Sequence, residues 1–305
     1  MSIIENMIKR GSVTSKIKNI NLKEAISDNL IPDIKNVKKY NNDMIHCFND
    51  IPSNYKCILG TSTDYLIRKM IHEVRNEPID EKLICEKPIN LETADNSPWV
   101  KTIYISEGKD RFNYIFQQAY ENEALLDIKK NEIKYIDRNE LNKYKQYVKN
   151  YRTKHWYEVL NDIWEMSLLD TLFRCGHYEH INCYEELLNK DHKFYKFLMV
   201  VANNFRDKTK KIYYNPTLGR SKNNIKTKAD ADIIYGDEMI DWKCTKKKDY
   251  SKDMLQCLMY TALARDIQYN HNINKCKVYY LLYETETELN VEDWDENGFI
   301  NKYCI

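Results

Sequence analysis

Glycine and proline are scarce in this chain, with 7 and 6 among its 305 residues. Consistent with this, the sequence contains no flexible linker, no low-complexity tract and no repeat with a period of about 20–50 residues. No run of about 18 apolar residues occurs, and the opening MSIIENMIKRGSVTSKIKNI lacks the apolar core of a signal peptide. We therefore expect a soluble intracellular protein with no membrane partner, cytoplasmic or, if a virus or mobile element encodes it, in the host cytoplasm.

Several catalytic and structural motifs are also missing. The sequence has no Walker-type glycine loop and no GxSxG, which argues against a nucleotide-driven motor and against serine hydrolysis. Its nine cysteines form no CxxC pair, so we expect free, mostly buried thiols in a reducing compartment. The one Cys/His-rich stretch, CGHYEHINC at 175–183, has irregular spacing in a helical context, and we expect no zinc.

Charge is balanced over the whole chain but not along it. The 47 basic and 46 acidic residues give a formal charge of +1, whereas the segment from Arg206 to Lys252 holds 13 basic and 7 acidic residues. One interpretation is a basic track that neutralises phosphates beside a cleft. The other is a solvated lysine-rich surface, and charge alone does not choose between them.

The pattern of apolar residues predicts an α/β fold. The expected elements are a helix from about Gly60 to Arg75, a strand from Lys101 to Ser106, a helix from about Arg111 to Lys130, a helical region from His155 to Arg206, a strand from Ile212 to Asn215, a hairpin within 229–244, a helix from about Lys252 to Ala264 and a buried strand at 276–284. This order predicts a mixed central β-sheet flanked by helices, with a large helical insertion. We place an N-terminal arm at 1–55, one domain at 56–305 and the insertion at about 110–206.

An acidic-x-Lys triplet occurs seven times in the chain, and the copy at Asp241 differs from the others by its context. It lies in the apolar run EMIDWKC, where a charge that points inward is costly unless it is paired or binds a metal. Strand alternation puts Asp241 and Lys243 on one face and Trp242 on the other. Asp232 lies across the predicted hairpin turn at Gly236-Asp237, so two carboxylates and an ammonium converge.

Such a group suits phosphodiester hydrolysis. Asp232 and Asp241, with the backbone carbonyl of Trp242, are candidate ligands for Mg²⁺ or Mn²⁺. Lys243 is the candidate to orient or activate the attacking water and to stabilise developing charge. The alternatives are a charge at the hairpin edge for Asp232 and a solvent-facing pair for Asp241 and Lys243.

Downstream, Gln256 and Tyr260 are four residues apart and share one helical face. The pattern ADADII…MIDWKCT…QCLMY resembles the D…(D/E)xK…QxxxY pattern of the PD-(D/E)XK nuclease superfamily, in particular its RecB-like exonuclease group. The resemblance implies a restriction-endonuclease-like core in which the strand carboxylates bind metal, the lysine is catalytic, and Gln256 and Tyr260 organise the site and contact substrate. On their own, these two residues are equally typical of a helix surface.

The resemblance extends to GTSTDYLIR, where the family places a histidine or an acidic residue at the start of a core helix. It implies a metal-ligand or supporting role for Asp64, and Arg68 lies one turn further along as a candidate substrate contact. The alternative is an ordinary i, i+4 ion pair. Iron–sulfur relatives carry a cluster of C-terminal cysteines, and only Cys276 and Cys304 lie there, so we expect no cluster.

The sequence thus predicts a metal-dependent nuclease, on DNA rather than RNA, with exonuclease action slightly favoured. The alternatives are a catalytically inactive nuclease fold that binds nucleic acid or a protein partner, and a restriction-type endonuclease. Five lysines beside the motifs are further candidates for substrate binding: Lys208, Lys210, Lys211, Lys246 and Lys247. The sequence does not indicate an oligomeric state.

Overall fold

The fold is described from a computed structural model of the chain. The residues it describes are 11–12, 17, 20–32, 38–40, 55–86, 125–129, 132–136, 138–175, 181–183, 185–222, 225–245, 249–265 and 271–303. The chain divides into two compact units. The first, which we call the sheet unit, comprises 1–49 and 207–305, and the second, the helix unit, comprises 50–206.

A six-stranded sheet with the order β2-β11-β10-β9-β8-β5 forms the centre of the sheet unit. Its strands are β2 (Lys38–Tyr40), β5 (Ile212–Tyr214), β8 (Ile233–Tyr235), β9 (Glu238–Lys243), β10 (Lys275–Tyr280) and β11 (Thr285–Asn290). Strands β9 and β10 run parallel and the other neighbours antiparallel, so the sheet is mixed. The predicted mixed sheet flanked by helices is confirmed at this level of detail.

In the described part of the sheet unit, three helices accompany the sheet: α1 (Leu22–Ser27), α6 (Tyr250–Arg265) and α7 (Asn297–Tyr303). Helix α6 connects β9 to its parallel neighbour β10, a connection that parallel strands require. Its buried residues join those of β8, β9 and β10 in one apolar core, to which α1 and α7 also contribute. The sheet face covered by α6 is the one that carries Met239 and Val278.

The predicted hairpin forms between β8 and β9, with Tyr235 paired to Glu238 across the turn. Gly236 has a φ of +60°, a conformation that glycine adopts without the steric cost of a Cβ atom. The turn therefore fixes the register of the two strands, and with it the position of every residue along β9.

The strand before the turn is shorter than the sequence suggested. The hairpin predicted within 229–244 implies one strand over ADADIIY, but β7 (Ile225–Asp230) ends before Asp232 and β8 begins after it. Strand β7 belongs to a second sheet, of order β1-β7-β6, with β1 at Gly11–Ser12 and β6 at Thr217–Lys222. The chain thus passes from one sheet to the other at Asp232. The segment that pairs with it, β5 followed by β6, makes the same passage between Tyr214 and Thr217.

The helix unit contains α2 (Lys56–Arg75), α3 (Arg138–Thr153), α4 (Leu160–Cys175) and α5 (Lys193–Asn203). Short 3-10 helices lie at Trp156–Glu158 and Glu185–Leu188. The amphipathic helix predicted from Gly60 is confirmed, as is the helical character of the region after His155. Among the described residues of the chain, no helix is both long and apolar enough to cross a membrane.

The helix predicted from Arg111 to Lys130 is wrong over its last part, because Leu125–Lys129 is strand β3 and pairs with β4 (Glu132–Ile136). Short apolar runs fit both helical and strand periods, and here cross-strand pairing decides. The strand expected at Lys101 to Ser106, and residues 111–124, lie outside the described residues.

Candidate active site

The register of the β8–β9 hairpin brings Asp232 and Asp241 to facing positions. The last paired residues are Ile233 and Ile240, so one further step along both strands sets Asp232 opposite Asp241. The backbone N–H of Trp242 donates to Asp232 Oδ2 at 2.8 Å, which holds the first carboxylate against the second strand. The two acidic residues named from the sequence therefore lie at one end of the same hairpin.

Asp241 is deeply buried, with 2% of its surface exposed. Its Oδ2 atom lies 2.6 Å from the ammonium of Lys243, the next residue on the same face of β9. That oxygen accepts no well-aligned hydrogen bond from any residue in the described part of the chain. A buried carboxylate is energetically expensive unless it is paired, and buried ionisable pairs are frequent at functional sites.

Helix α6 completes the cluster through Gln256 and Tyr260. Lys243 Nζ donates to Gln256 Oε1 at 3.0 Å, and Gln256 Nε2 donates to the Tyr260 hydroxyl at 2.5 Å. The helical spacing of four residues puts both side chains on the face that packs against β9. A continuous chain of contacts thus runs from Asp241 through Lys243 and Gln256 to Tyr260.

The electrostatic environment keeps Lys243 charged. Burial lowers its pKa, but the negative charges of Asp241 and Asp232 outweigh burial and raise the pKa to about 12. Burial, and then the same two carboxylates, also raise the pKa of the Tyr260 hydroxyl above its ordinary value. At neutral pH the cluster therefore offers an ammonium and a neutral phenol, both able to donate protons in hydrogen bonds.

A third carboxylate, Asp253, was missed in the sequence. It lies in the first turn of α6, three residues before Gln256, so it shares the helix face that carries Gln256 and Tyr260. Burial raises the pKa of Asp253, the ammonium of Lys243 opposes this increase, and the charge of Asp241 adds to it. The spacing Asp253–Gln256–Tyr260 was the available signal, since i, i+3 and i+7 positions lie on one face.

The donor set suits a hard divalent cation. Mg²⁺ is commonly held by one or two carboxylates and completes its coordination with water and substrate oxygens. Asp232 and Asp241 supply the carboxylates, and Asp241 Oδ2 also lies 2.6 Å from the Lys243 ammonium. Within the described ranges, no three His, Cys, Asp or Glu side chains are grouped closely enough to hold a metal by themselves.

The residues named from GTSTDYLIR lie in the helix unit, on α2. Asp64 Oδ2 pairs with Arg68 at 2.6 Å, and Arg68 also contacts Glu81 Oε1 at 3.3 Å. Glu81 Oε2 in turn accepts a hydrogen bond from His72 Nε2 at 3.0 Å. Arg68 is only 1% exposed, so it stabilises this buried polar network. The metal-ligand role of Asp64 and the substrate contact of Arg68 stay predictions.

The candidate substrate lysines have differing environments. Lys208 is exposed, whereas the ammonium of Lys210 lies 3.5 Å from Glu238 Oε1 and 5.1 Å from the centre of the Tyr235 ring. Lys211 is exposed, and its ammonium lies 4.7 Å from the centre of the Tyr213 ring. Lys246 and Lys247 lie outside the described residues.

Comparison with known proteins returns no relative. No family model matches the chain, and neither a curated protein nor a solved structure is significantly similar to it. The feature that bears on function is therefore the cluster of Asp232, Asp241, Lys243, Gln256 and Tyr260.

Proposed function

We propose that the chain is a divalent-metal-dependent nuclease with a RecB-like PD-(D/E)XK active site, acting as an exonuclease on DNA. The observation that carries the proposal is the convergence of five residues from the β8–β9 hairpin and helix α6. Asp232 and Asp241 face each other across the hairpin, and Lys243, Gln256 and Tyr260 continue from Asp241 through successive contacts. They occupy the order and types that the resemblance implies.

The surrounding fold supports the same proposal. The residues lie on a hairpin that is followed by helix α6 and a strand parallel to β9, within a mixed sheet. We propose that this arrangement is the restriction-endonuclease-like core. Its rigid strands and helix suit catalysis, because catalytic groups need positions held to within a fraction of an ångström.

The side chains have separable tasks in this proposal. Asp232, Asp241 and the carbonyl of Trp242 would hold Mg²⁺ or Mn²⁺, which, when bound, neutralises phosphate charge and lowers the pKa of coordinated water. Lys243 donates hydrogen bonds to the attacking water and to the phosphate oxygen on which charge develops. Its high pKa makes it a donor and an electrostatic stabiliser, not a base.

Gln256 and Tyr260 position that lysine. The amide oxygen of Gln256 accepts from Lys243, and the hydroxyl of Tyr260 holds the amide nitrogen, which fixes the orientation of the amide. An ammonium held from two sides, by Asp241 and by Gln256, loses little freedom when substrate binds. Such preorganisation is a large part of electrostatic catalysis.

The test is digestion of labelled linear and covalently closed circular DNA, each single- and double-stranded, with Mg²⁺, with Mn²⁺ and with EDTA. We expect metal-dependent loss of linear DNA, survival of the circles and no digestion in EDTA. Lys243→Met should abolish the activity. Lys275→Met, at the opposite end of the β9–β10 strand pair, serves as the matched control. Absence of metal-dependent cleavage in the wild-type protein, or full activity of Lys243→Met, contradicts the proposal.

A further inference from the structure

The ammonium of Lys243 contacts oxygen atoms of both strand β9 and helix α6. On β9, Asp241 Oδ2 lies 2.6 Å from it. On α6, Gln256 Oε1 accepts its hydrogen bond at 3.0 Å. A metal ion ligated by Asp241 would share that carboxylate with the ammonium, and two cations at one carboxylate repel each other. The ammonium therefore needs a further anionic partner if the site is to hold both cations.

The first turns of α6 lie over the pair of strand residues that includes Lys243. The parallel register of β9 and β10 pairs Lys243 with Tyr280. The ring of Tyr250, at the start of α6, contacts the ring of Tyr280, with 4.9 Å between the ring centres. Gln256, six positions after Tyr250, contacts Lys243 itself. Two points on the same stretch of helix are therefore fixed to the same two strand residues.

Asp253 lies between these two points on the helix surface. It is three residues after Tyr250 and three before Gln256, and residues three apart are neighbours on a helix. Its side chain is partly buried. The contacts on either side of it therefore direct its carboxyl group towards the pair formed by Lys243 and Tyr280.

The electrostatic interactions of Asp253 indicate the same position. Burial lowers the pKa of Lys243, the two strand carboxylates raise it most, and Asp253 adds a smaller increase. Burial, and then the charge of Asp253, raise the pKa of the Tyr280 hydroxyl. Asp253 is therefore close to both residues of the strand pair, and it is a second, weaker anionic partner of the ammonium.

We infer that Asp253 is a positioning residue that holds the Lys243 ammonium when Asp241 binds the metal ion. This inference rests on the proposed function, because it assigns a role to a further residue of that site. By attracting the ammonium towards α6, Asp253 lowers the repulsion between the lysine and the metal ion at the shared carboxylate. It thereby strengthens metal binding without being a ligand.

The experiment measures the affinity of the full chain for Mn²⁺ alone, without DNA, by titration calorimetry. Replacement of a residue that orients the groups around a metal typically costs about 10- to 100-fold in affinity, and we expect a loss of about 10-fold for Asp253→Asn. In a Lys243→Met background the same substitution should change the affinity by less than about 2-fold, because no ammonium remains to be positioned. Lys243→Gln provides a second uncharged background if Lys243→Met folds poorly.

Two controls make the result specific. Asp253→Glu retains the carboxylate and should recover most of the affinity. Glu286→Gln removes the same charge from β11, where Glu286 pairs with Tyr279 on the sheet face opposite Lys243, and it should leave the affinity within about 2-fold of the wild type. Equal losses from Asp253→Asn with and without the lysine overturn the inference, because Asp253 then acts on the metal ion directly. Undiminished affinity of Asp253→Asn overturns it as well.

The outcomes also separate this inference from the proposed function. Metal-dependent cleavage by the wild type, together with equal losses of Mn²⁺ affinity in both backgrounds, overturns the role of Asp253 and leaves the nuclease intact. A loss that requires the lysine, with no cleavage by the wild type under any metal condition, supports the positioning role and contradicts the catalytic proposal. A wild-type protein that binds no Mn²⁺ overturns the positioning role, whatever it does to DNA.

Discussion

Removal of the Lys243 ammonium should show how much the stability of the protein depends on the ion pair between Lys243 and the buried Asp241. Asp241 is 2% exposed, and the Lys243 ammonium is 2.6 Å from its Oδ2 atom. Lys243→Met leaves that carboxylate buried without a cation. Breaking a buried ion pair from one side typically costs about 3–5 kcal/mol, and because the lysine side chain is 16% exposed we expect the lower end, about 3 kcal/mol.

The double variant Asp241→Asn/Lys243→Met should recover most of this loss. It contains neither charge, and replacement of a complete buried pair by uncharged groups is often close to neutral, so we expect it within about 1 kcal/mol of the wild type. The interaction energy of the double-mutant cycle should therefore be about 2 kcal/mol or more. Both variants should be inactive as nucleases, which separates stability from activity.

Lys243→Arg should also separate stability from activity, because it should retain stability and lose activity. The guanidinium retains the charge beside Asp241, so stability should stay within about 1 kcal/mol of the wild type, but its planar fork does not reproduce the compact ammonium held by Gln256. We expect a loss of cleavage of about 100-fold, the order of magnitude of one misplaced electrostatic donor.

The assay is urea denaturation of the full chain, followed by tryptophan fluorescence and by far-ultraviolet circular dichroism, since coincident transitions justify a two-state treatment. A Lys243→Met variant within about 0.5 kcal/mol of the wild type would show that the Asp241 carboxylate does not need this cation. The account of the buried pair would then be wrong, whatever the variant did to cleavage.

Three further predictions concern the metal, the lysine-positioning chain and the helix unit. Asp232→Asn removes a charged oxygen ligand and should lower Mn²⁺ affinity by about 10-fold or more in titration calorimetry; undiminished affinity would move the metal elsewhere. Tyr260→Phe deletes the acceptor of the Gln256 amide and should lower kcat with little change in KM, whereas a change in KM alone would indicate a substrate contact. Burial raises the pKa of Glu81, but hydrogen bonds and charges from His72 and Arg68 outweigh it and lower the pKa below its ordinary 4.5. A carboxyl group with a depressed folded-state pKa contributes stability above its unfolded pKa, and this contribution is lost as pH falls through the folded value. The free energy of unfolding of the wild type should therefore fall more steeply below about pH 4.5 than that of Glu81→Gln. Parallel plots of the two free energies against pH from 3 to 7 would refute this.

Local pattern predicted most of the elements that build the candidate site. The alternation in EMIDWKC set Asp241 and Lys243 on one face, Gly236-Asp237 marked the turn, and four-residue spacing set Gln256 and Tyr260 on one helix face. These inferences succeeded because strand and helix periods are properties of the chain itself. The same reasoning failed at Leu125–Lys129, where a short apolar run fitted either period and pairing with β4 decided for a strand.

Tertiary structure decided which of those faces meet. The sequence left open whether Asp241 and Lys243 formed a solvent-facing pair, and packing of α6 on the sheet buried them and brought Gln256 to the ammonium. Packing likewise added Asp253, since its spacing from Gln256 and Tyr260 indicates a shared helix face but not the burial that raises its pKa. Periodicity fixes only the direction in which a side chain leaves its own element. Burial, pKa and contact depend on the neighbouring element that covers it, and that neighbour is set by sheet register and by the crossover through α6.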